Sequence, residues 1–165
     1  PHFWVSVNIS ACQFQEKDLV EKVTRVLSET GLPSEGLRLE ITETLAIKDS
    51  KYTMRLIKEL KELGVYTSLD DFGTGYSSLS YLKQFPLKVL KIDRSFINDI
   101  QPNQKDESIV TAIIAMARSF NLEVVAEGVE TDEQLTFLRS QMCDSVQGFL
   151  LSRPMSAGDL TRFLG

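Results

Sequence analysis

The chain has 165 residues, 42% of them hydrophobic and 25% charged, with a formal net charge of −5, proportions that suit one globular domain with a sizeable core. The acidic balance argues against a nucleic-acid polymer as partner, because such grooves show clustered Lys and Arg, and no apolar run approaches the roughly 20 residues that span a bilayer. The single histidine, His2, leaves Ser-His-Asp and Cys-His catalysis and histidine-ligated metals without their key group.

In chain order, short strand-like segments alternate with helix-like ones. Val5 to Ser10 reads as a strand with Val5, Val7 and Ile9 on one face and Ser6, Asn8 and Ser10 on the other. Cys12 follows. It lies far from Cys143 with neither zinc spacing nor a disulfide framework, and both read as buried reduced thiols of a cytoplasmic domain. Leu19, Val20, Val23, Val26 and Leu27 repeat at helical spacing, and Gly31 with Pro33 supplies the stop. Leu37 to Glu43 is the next strand, and Lys51 to Leu63 the next helix, with Met54, Ile57, Leu60 and Leu63 as its apolar stripe.

Val65 to Asp71 is a strand leading into Asp70-Asp71-Phe72-Gly73-Thr74-Gly75, two adjacent carboxylates before a glycine-rich turn. Tyr76 to Lys83 reads as a short helix before Pro86, and Leu87 to Asp93 as a strand with Lys91 opposite Leu90 and Ile92. After a polar loop through Pro102 and Asn103 comes a strongly apolar helix from Ile109 to Phe120. Glu123 to Gly128 is a strand, Thr131 and Gln134 have capping-box spacing, Ser145 to Leu150 is the last strand, and Ser156 caps a terminal helix reaching Leu164. The alternation predicts an α/β fold with a parallel sheet and crossover helices, in about six βα units.

These strands lack the continuous apolar runs of a parallel sheet covered on both faces. Asn8, Glu40, Asp70, Lys91, Glu127 and Gln147 fall toward the strands' C-terminal ends, the end that carries the site in α/β sheets and barrels. Unpaired carboxylates in a dry interior cost several kcal/mol each. Glu40, Asp70, Asp71 and Glu127 against the lone Lys91 therefore ask for about two divalent ions held by oxygen, of the Mg²⁺, Mn²⁺ or Ca²⁺ type. Such a pair suits in-line displacement at phosphorus, with Lys91 orienting the water or neutralising developing charge and Glu127 placed to accept a proton.

Val7-Asn8-Ile9-Ser10, Leu39-Glu40-Ile41-Thr42-Glu43, Asp70-Asp71-Phe72-Gly73-Thr74-Gly75-Tyr76-Ser77-Ser78-Leu79, Leu90-Lys91-Ile92-Asp93-Arg94-Ser95-Phe96, Ala126-Glu127-Gly128-Val129-Glu130 and Gln147-Gly148-Phe149 stand in the order seen in EAL domains, which the chain resembles along its whole length. The resemblance implies a modified TIM (β/α)8 barrel that hydrolyses the bacterial second messenger cyclic di-GMP to linear pGpG with Mg²⁺ or Mn²⁺. It implies Asn8, Glu40 and Asp70 as ligands of one metal and Asp71 of a second. Lys91 would contact the catalytic water, Glu127 would act as base or metal-site partner, and Gln147 and Asp93 would support the site. Glu43 would anchor the loop after Asp71, through which the family couples dimerisation to activity, so a homodimer is expected. An upstream sensory or diguanylate-cyclase domain is a further expectation.

The Glu-Ala-Leu signature is absent, so residues 1–165 read as an EAL fragment without the family's first two strands and one metal ligand, an incomplete barrel. Alone it is expected to be inactive, with two exposed strand edges. Lys88 and Met142 stand where Asp and Gly are common, away from the inferred chemistry. The alternative is a degenerate EAL module that senses cyclic di-GMP or a protein without catalysis. A protein kinase, suggested by Asp71-Phe72-Gly73, is poor, since neither a Gly-rich phosphate loop nor a His-Arg-Asp loop is present.

Overall fold

The computed structural model describes residues 3–74, 79–98, 100 and 105–164. The predicted features at His2, at Gly75-Tyr76-Ser77-Ser78 and at Pro102 and Asn103 lie outside the described residues. Six strands, β1 (Val5–Asn8), β2 (Leu37–Thr42), β3 (Tyr66–Phe72), β4 (Val89–Ile92), β5 (Glu123–Glu127) and β6 (Ser145–Gln147), form one sheet in sequence order. Every neighbouring pair is parallel. The sheet is a curled half-barrel, with β1 and β6 as its open edges.

The helices are α1 (Ala11–Phe14), α2 (Leu19–Thr30), α3 (Glu43–Lys48), α4 (Ser50–Glu62), α5 (Leu79–Gln84), α6 (Arg94–Asn98), α7 (Lys105–Ser119), α8 (Asp132–Ser140) and α9 (Ala157–Leu164). Their apolar stripes meet one sheet face. Leu39, Ile41, Leu69, Leu90, Ile92, Val124 and Ala126 from the strands join Leu56, Ile57, Leu60, Val110, Ile114 and Leu138 from the helices in the core. The other face carries the polar residues, which is why strand alternation was visible in the sequence.

Local chemistry sets the helix ends. Gly31 closes α2 in the left-handed region, and Asp49 accepts from the Tyr52 N–H at 3.0 Å to start α4. The Thr131–Gln134 capping box opens α8 as its spacing predicts. Three short helices, α1, α3 and α6, were not foreseen, since four to six residues are too few to show a stripe. The last strand also stops earlier, at Gln147, because Leu150 N–H turns back to the Val129 carbonyl at 3.0 Å.

The expectation of two buried thiols fails at Cys12, which is exposed on α1 beside the uncovered edge strand. Cys143 is half-buried, and its thiol lies 3.3 Å from the Ser145 carbonyl oxygen. Val5 and Val7 on β1, and Leu160, Phe163 and Leu164 on α9, are likewise exposed. Apolar residues on the edge strand β1 and on α9 are therefore left uncovered.

Met142 has φ +56 and is 67% exposed, and its carbonyl accepts from the Arg118 guanidinium. A flexible unbranched side chain is strained in that conformation, whereas glycine is not. Met142→Gly is expected to raise the melting temperature of the intact protein by about 2–4 °C, the equivalent of about 1 kcal/mol, as read by thermal denaturation.

Candidate metal and phosphate site

At the C-terminal ends of β2 to β5 the polar face closes into one charge cluster. Lys91 sits at its centre, 5% exposed, with Nζ 2.7 Å from Glu40 Oε2, 3.2 Å from Asp70 Oδ1 and 2.6 Å from Glu127 Oε1. Three different strands thus deliver carboxylates to one ammonium. Burial alone would lower the lysine's pKa, but the hydrogen bonds it donates to Glu127 and Glu40, together with the charges of those carboxylates, outweigh burial and raise it, so Lys91 stays charged.

Adjacent residues of a strand ordinarily point to opposite faces, yet Asp70 and Asp71 share the site. The cause is a bulge. Leu69 pairs with Leu90 and Phe72 with Ile92, so β3 spends one residue more than β4 over that interval. Asp71 takes the left-handed region at φ +54, which aspartate tolerates better than most residues. Phe72 thereby returns to the core at 5% exposure, and oxygen atoms of Asp70, Asp71 and Glu127 come within 4.8 Å of one another. Burial and the neighbouring charges of Asp70 and Asp93 raise the Asp71 carboxyl, and burial raises Glu127 against the pull of Lys91.

Around this centre the other predicted residues fall as follows. Asn8 pairs in register with Glu40 and Gln147 with Glu127, so both stand on the cluster's face, and both are exposed on the edge strands. Glu43 is buried at the start of α3, where Oε2 accepts from the Gly73 N–H at 3.1 Å. Asp93 Oδ1 accepts from the Ser95 N–H at 2.9 Å and Ser95 Oγ at 2.5 Å, bracing α6.

A cavity of about 460 Å³ opens beside the acids, lined by Asp71, Asp93, Glu127 and Gln147 and also by Arg94, Glu130 and Phe149. Sequence reasoning did not single out the last three as site residues. The signal available was adjacency, since Arg94 follows Asp93 and Glu130 follows the Glu127-Gly128 turn. Lys88 lies away from this mouth, 3.0 Å from Glu123 at the opposite end of the strands, where Arg38 also reaches Glu123 at 3.4 Å and stacks 3.9 Å over Trp4.

A parallel half-barrel with an acid-rich mouth at the strand C-termini defines a class of βα-barrel domains suited to divalent cations and phosphate esters. The chain belongs to the EAL domain family, whose model matches residues 1–154. It is 50% identical over 160 residues to cyclic di-GMP phosphodiesterase NbdA of Pseudomonas aeruginosa, covering 97% of this chain and 20% of NbdA. Bifunctional diguanylate cyclase/cyclic di-GMP phosphodiesterase MucR of the same organism is 48% identical over 156 residues, covering 94% of this chain and 23% of MucR. The chain therefore spans about a fifth of these curated relatives. The structure of PaMucR phosphodiesterase in complex with c-di-GMP superposes with a TM-score of 0.91 at 48% identity, over 95% of this chain and 64% of that one. Klebsiella pneumoniae BlrP1 in its manganese/cy-diGMP complex gives 0.85 at 32% identity, over 93% and 39%.

Removing the central ammonium leaves three carboxylates facing one another. Lys91→Met is expected to cost about 3–5 kcal/mol of stability at pH 7. In the variant Glu127, raised by burial, loses the ammonium that pulls it down, so its folded pKa stands further above the unfolded one and stability recovers as pH falls through it and is lost as pH rises. Urea unfolding of the metal-free protein at pH 7 and at about pH 4.5 measures both, with the deficit against wild type smaller at the lower pH.

Proposed function

We propose that this chain forms most of the catalytic domain of a divalent-metal-dependent phosphodiesterase that opens cyclic di-GMP to linear pGpG in bacterial second-messenger signalling. The observation that carries this reading is the convergence of Glu40, Asp70 and Glu127 on Lys91, with Asp71 bent into the same mouth by the bulge. The acceptor-only oxygens of Asp70, Asp71 and Glu127 lie close enough together to serve one cation, which fits Mg²⁺ or Mn²⁺.

In this reading Asn8, Glu40 and Asp70 would hold one ion and Asp71 a second, with Asp70 and Glu127 near enough to Asp71 to share in the second. When bound, the two ions activate the attacking water and screen the phosphate charge. Lys91, kept protonated by its carboxylate neighbours, orients the water and cannot itself serve as base. Glu127, whose carboxyl burial raises toward neutrality, accepts the water's proton. The water oxygen bonds to phosphorus in line with the departing ribose 3′ oxygen, the P–O3′ bond breaks, and that oxygen takes a proton from solvent while Glu127 returns the water's proton to solvent. Gln147 and Asp93 brace the mouth, and Glu43 fixes the backbone after Asp71 through Gly73.

The exposed edges at β1 and β6, and the 64% coverage of the MucR structure, support two further strands in the intact protein that close the barrel and bring the Glu-Ala-Leu ligand. The fragment alone is then inactive. A cytoplasmic homodimer contacting through the segment after Asp71, with an upstream sensory or diguanylate-cyclase domain, completes the proposal.

The test is turnover of cyclic di-GMP by the intact protein with Mn²⁺, followed as linear product. Release of pGpG that EDTA abolishes, and a 10²–10⁴-fold loss of kcat in Glu127→Gln, are the expected results. Binding of cyclic di-GMP without turnover in the wild type would overturn the enzyme in favour of a sensor.

A further inference from the structure

The short helix α6 touches both turns that present carboxylates to the site. On one side, a β-carbon built on Gly73, two residues after Asp71, would lie 2.7 Å from Phe96 Cε2 and 2.9 Å from Cζ, so the ring rests directly on the backbone of that turn. On the other, a β-carbon on Gly128, the residue after Glu127, would lie 2.6 Å from Arg94 Cβ. Both glycines have positive φ, +98 and +71. Side chains are thus barred at both places twice over, by conformation and by α6 itself.

The helix is held from both ends. Asp93 caps its first turn through Ser95, and its Ile97 carbonyl accepts from Gln134 Nε2 at 3.0 Å. Gln134 in turn accepts from the Glu130 N–H at 2.8 Å, fixing the segment that follows Gly128. Ile97 is fully buried. The Gly73 turn is also held by Glu43, so its position is set by a carboxylate on its N–H and an aromatic ring against its α-carbon.

We infer that α6 is a wedge between the two carboxylate-bearing turns, and that Phe96 is a positioning residue that holds Asp71 at its working distance from Asp70 and Glu127. The left-handed bulge at Asp71 does not hold itself. An aspartate at φ +54 has an extended alternative close in energy, and the ring against Gly73 blocks the backbone shift that would reach it. Phe96 does not line the cavity beside the acids. It acts through the backbone of Gly73.

This inference rests on the proposed metal-dependent phosphodiesterase, and its test separates the two. In the intact protein, Mn²⁺ affinity is measured by isothermal titration, kcat and KM for cyclic di-GMP at saturating Mn²⁺, and the melting temperature in EDTA. Phe96→Ala is expected to weaken Mn²⁺ binding at least ~10-fold and lower kcat by a similar factor, with KM within ~2-fold, since the ligand's own contacts are untouched. Phe96→Met, which keeps most of the volume, is expected to restore Mn²⁺ affinity to within ~3-fold of wild type. Gly73→Ala is expected to lose affinity like Phe96→Ala, and the double variant to lose less than the product of the two single losses, because removing the ring frees the space the added methyl needs. Unchanged Mn²⁺ affinity in Phe96→Ala alongside a lowered melting temperature would make Phe96 ordinary packing and sink the wedge. If Phe96→Ala does not fold, a Phe96→Met variant that folds yet binds Mn²⁺ as poorly as Gly73→Ala also overturns it. A wild type that neither binds Mn²⁺ nor turns over cyclic di-GMP fails the functional reading instead.

Discussion

Everything at the open mouth of this half-barrel answers to one imbalance: acid side chains from β2, β3 and β5 are gathered in a largely buried place with, among the described residues, a single ammonium between them. Lys91 meets three of them within 3.2 Å, and Asp71 joins from the bulge. A fold selected for stability alone would not keep such a surplus of like charge, because each buried carboxylate left without a partner costs more than the contacts around it return. The cations proposed above would offset that excess. That the acids sit at the strand C-termini, where loops are free to vary, agrees with how βα-barrels host chemistry.

The geometry that brings the acids together is built from backbone exceptions. Strand alternation puts Glu40, Asp70, Lys91 and Glu127 on the inner face without special devices. Asp71 arrives by another route, through an extra residue in β3 and a left-handed backbone. The turn after it is held by a buried carboxylate at Gly73. The same device that adds the fourth acid also returns Phe72 to the core, so the bulge serves packing and site at once.

Most of the strands and long helices were legible in the sequence, because period-two and helical patterns report directly on which face is buried. The Thr131–Gln134 capping box was legible for the same local reason. What escaped was tertiary. No pattern in Asp70-Asp71 announces a bulge, since a register shift exists only relative to β4. The three short helices carry too few residues for a stripe, and Cys12 read as buried because a small thiol usually is, whereas the edge beside α1 is uncovered. Of the site, the inner-face acids and Lys91 could be named from alternation and spacing. Arg94, Glu130 and Phe149 could not, because their approach to the cavity depends on how the segments after β4, β5 and β6 fold over it.

In the function proposed above, these oxygens hold two divalent cations, with Asp71 serving the second. Counting bound Mn²⁺ in the intact protein, by equilibrium dialysis with metal analysis, tests it most directly. About two ions per chain in the wild type and about one in Asp71→Asn is the expected result. An unchanged count in the variant, or no specific binding in the wild type, would contradict it.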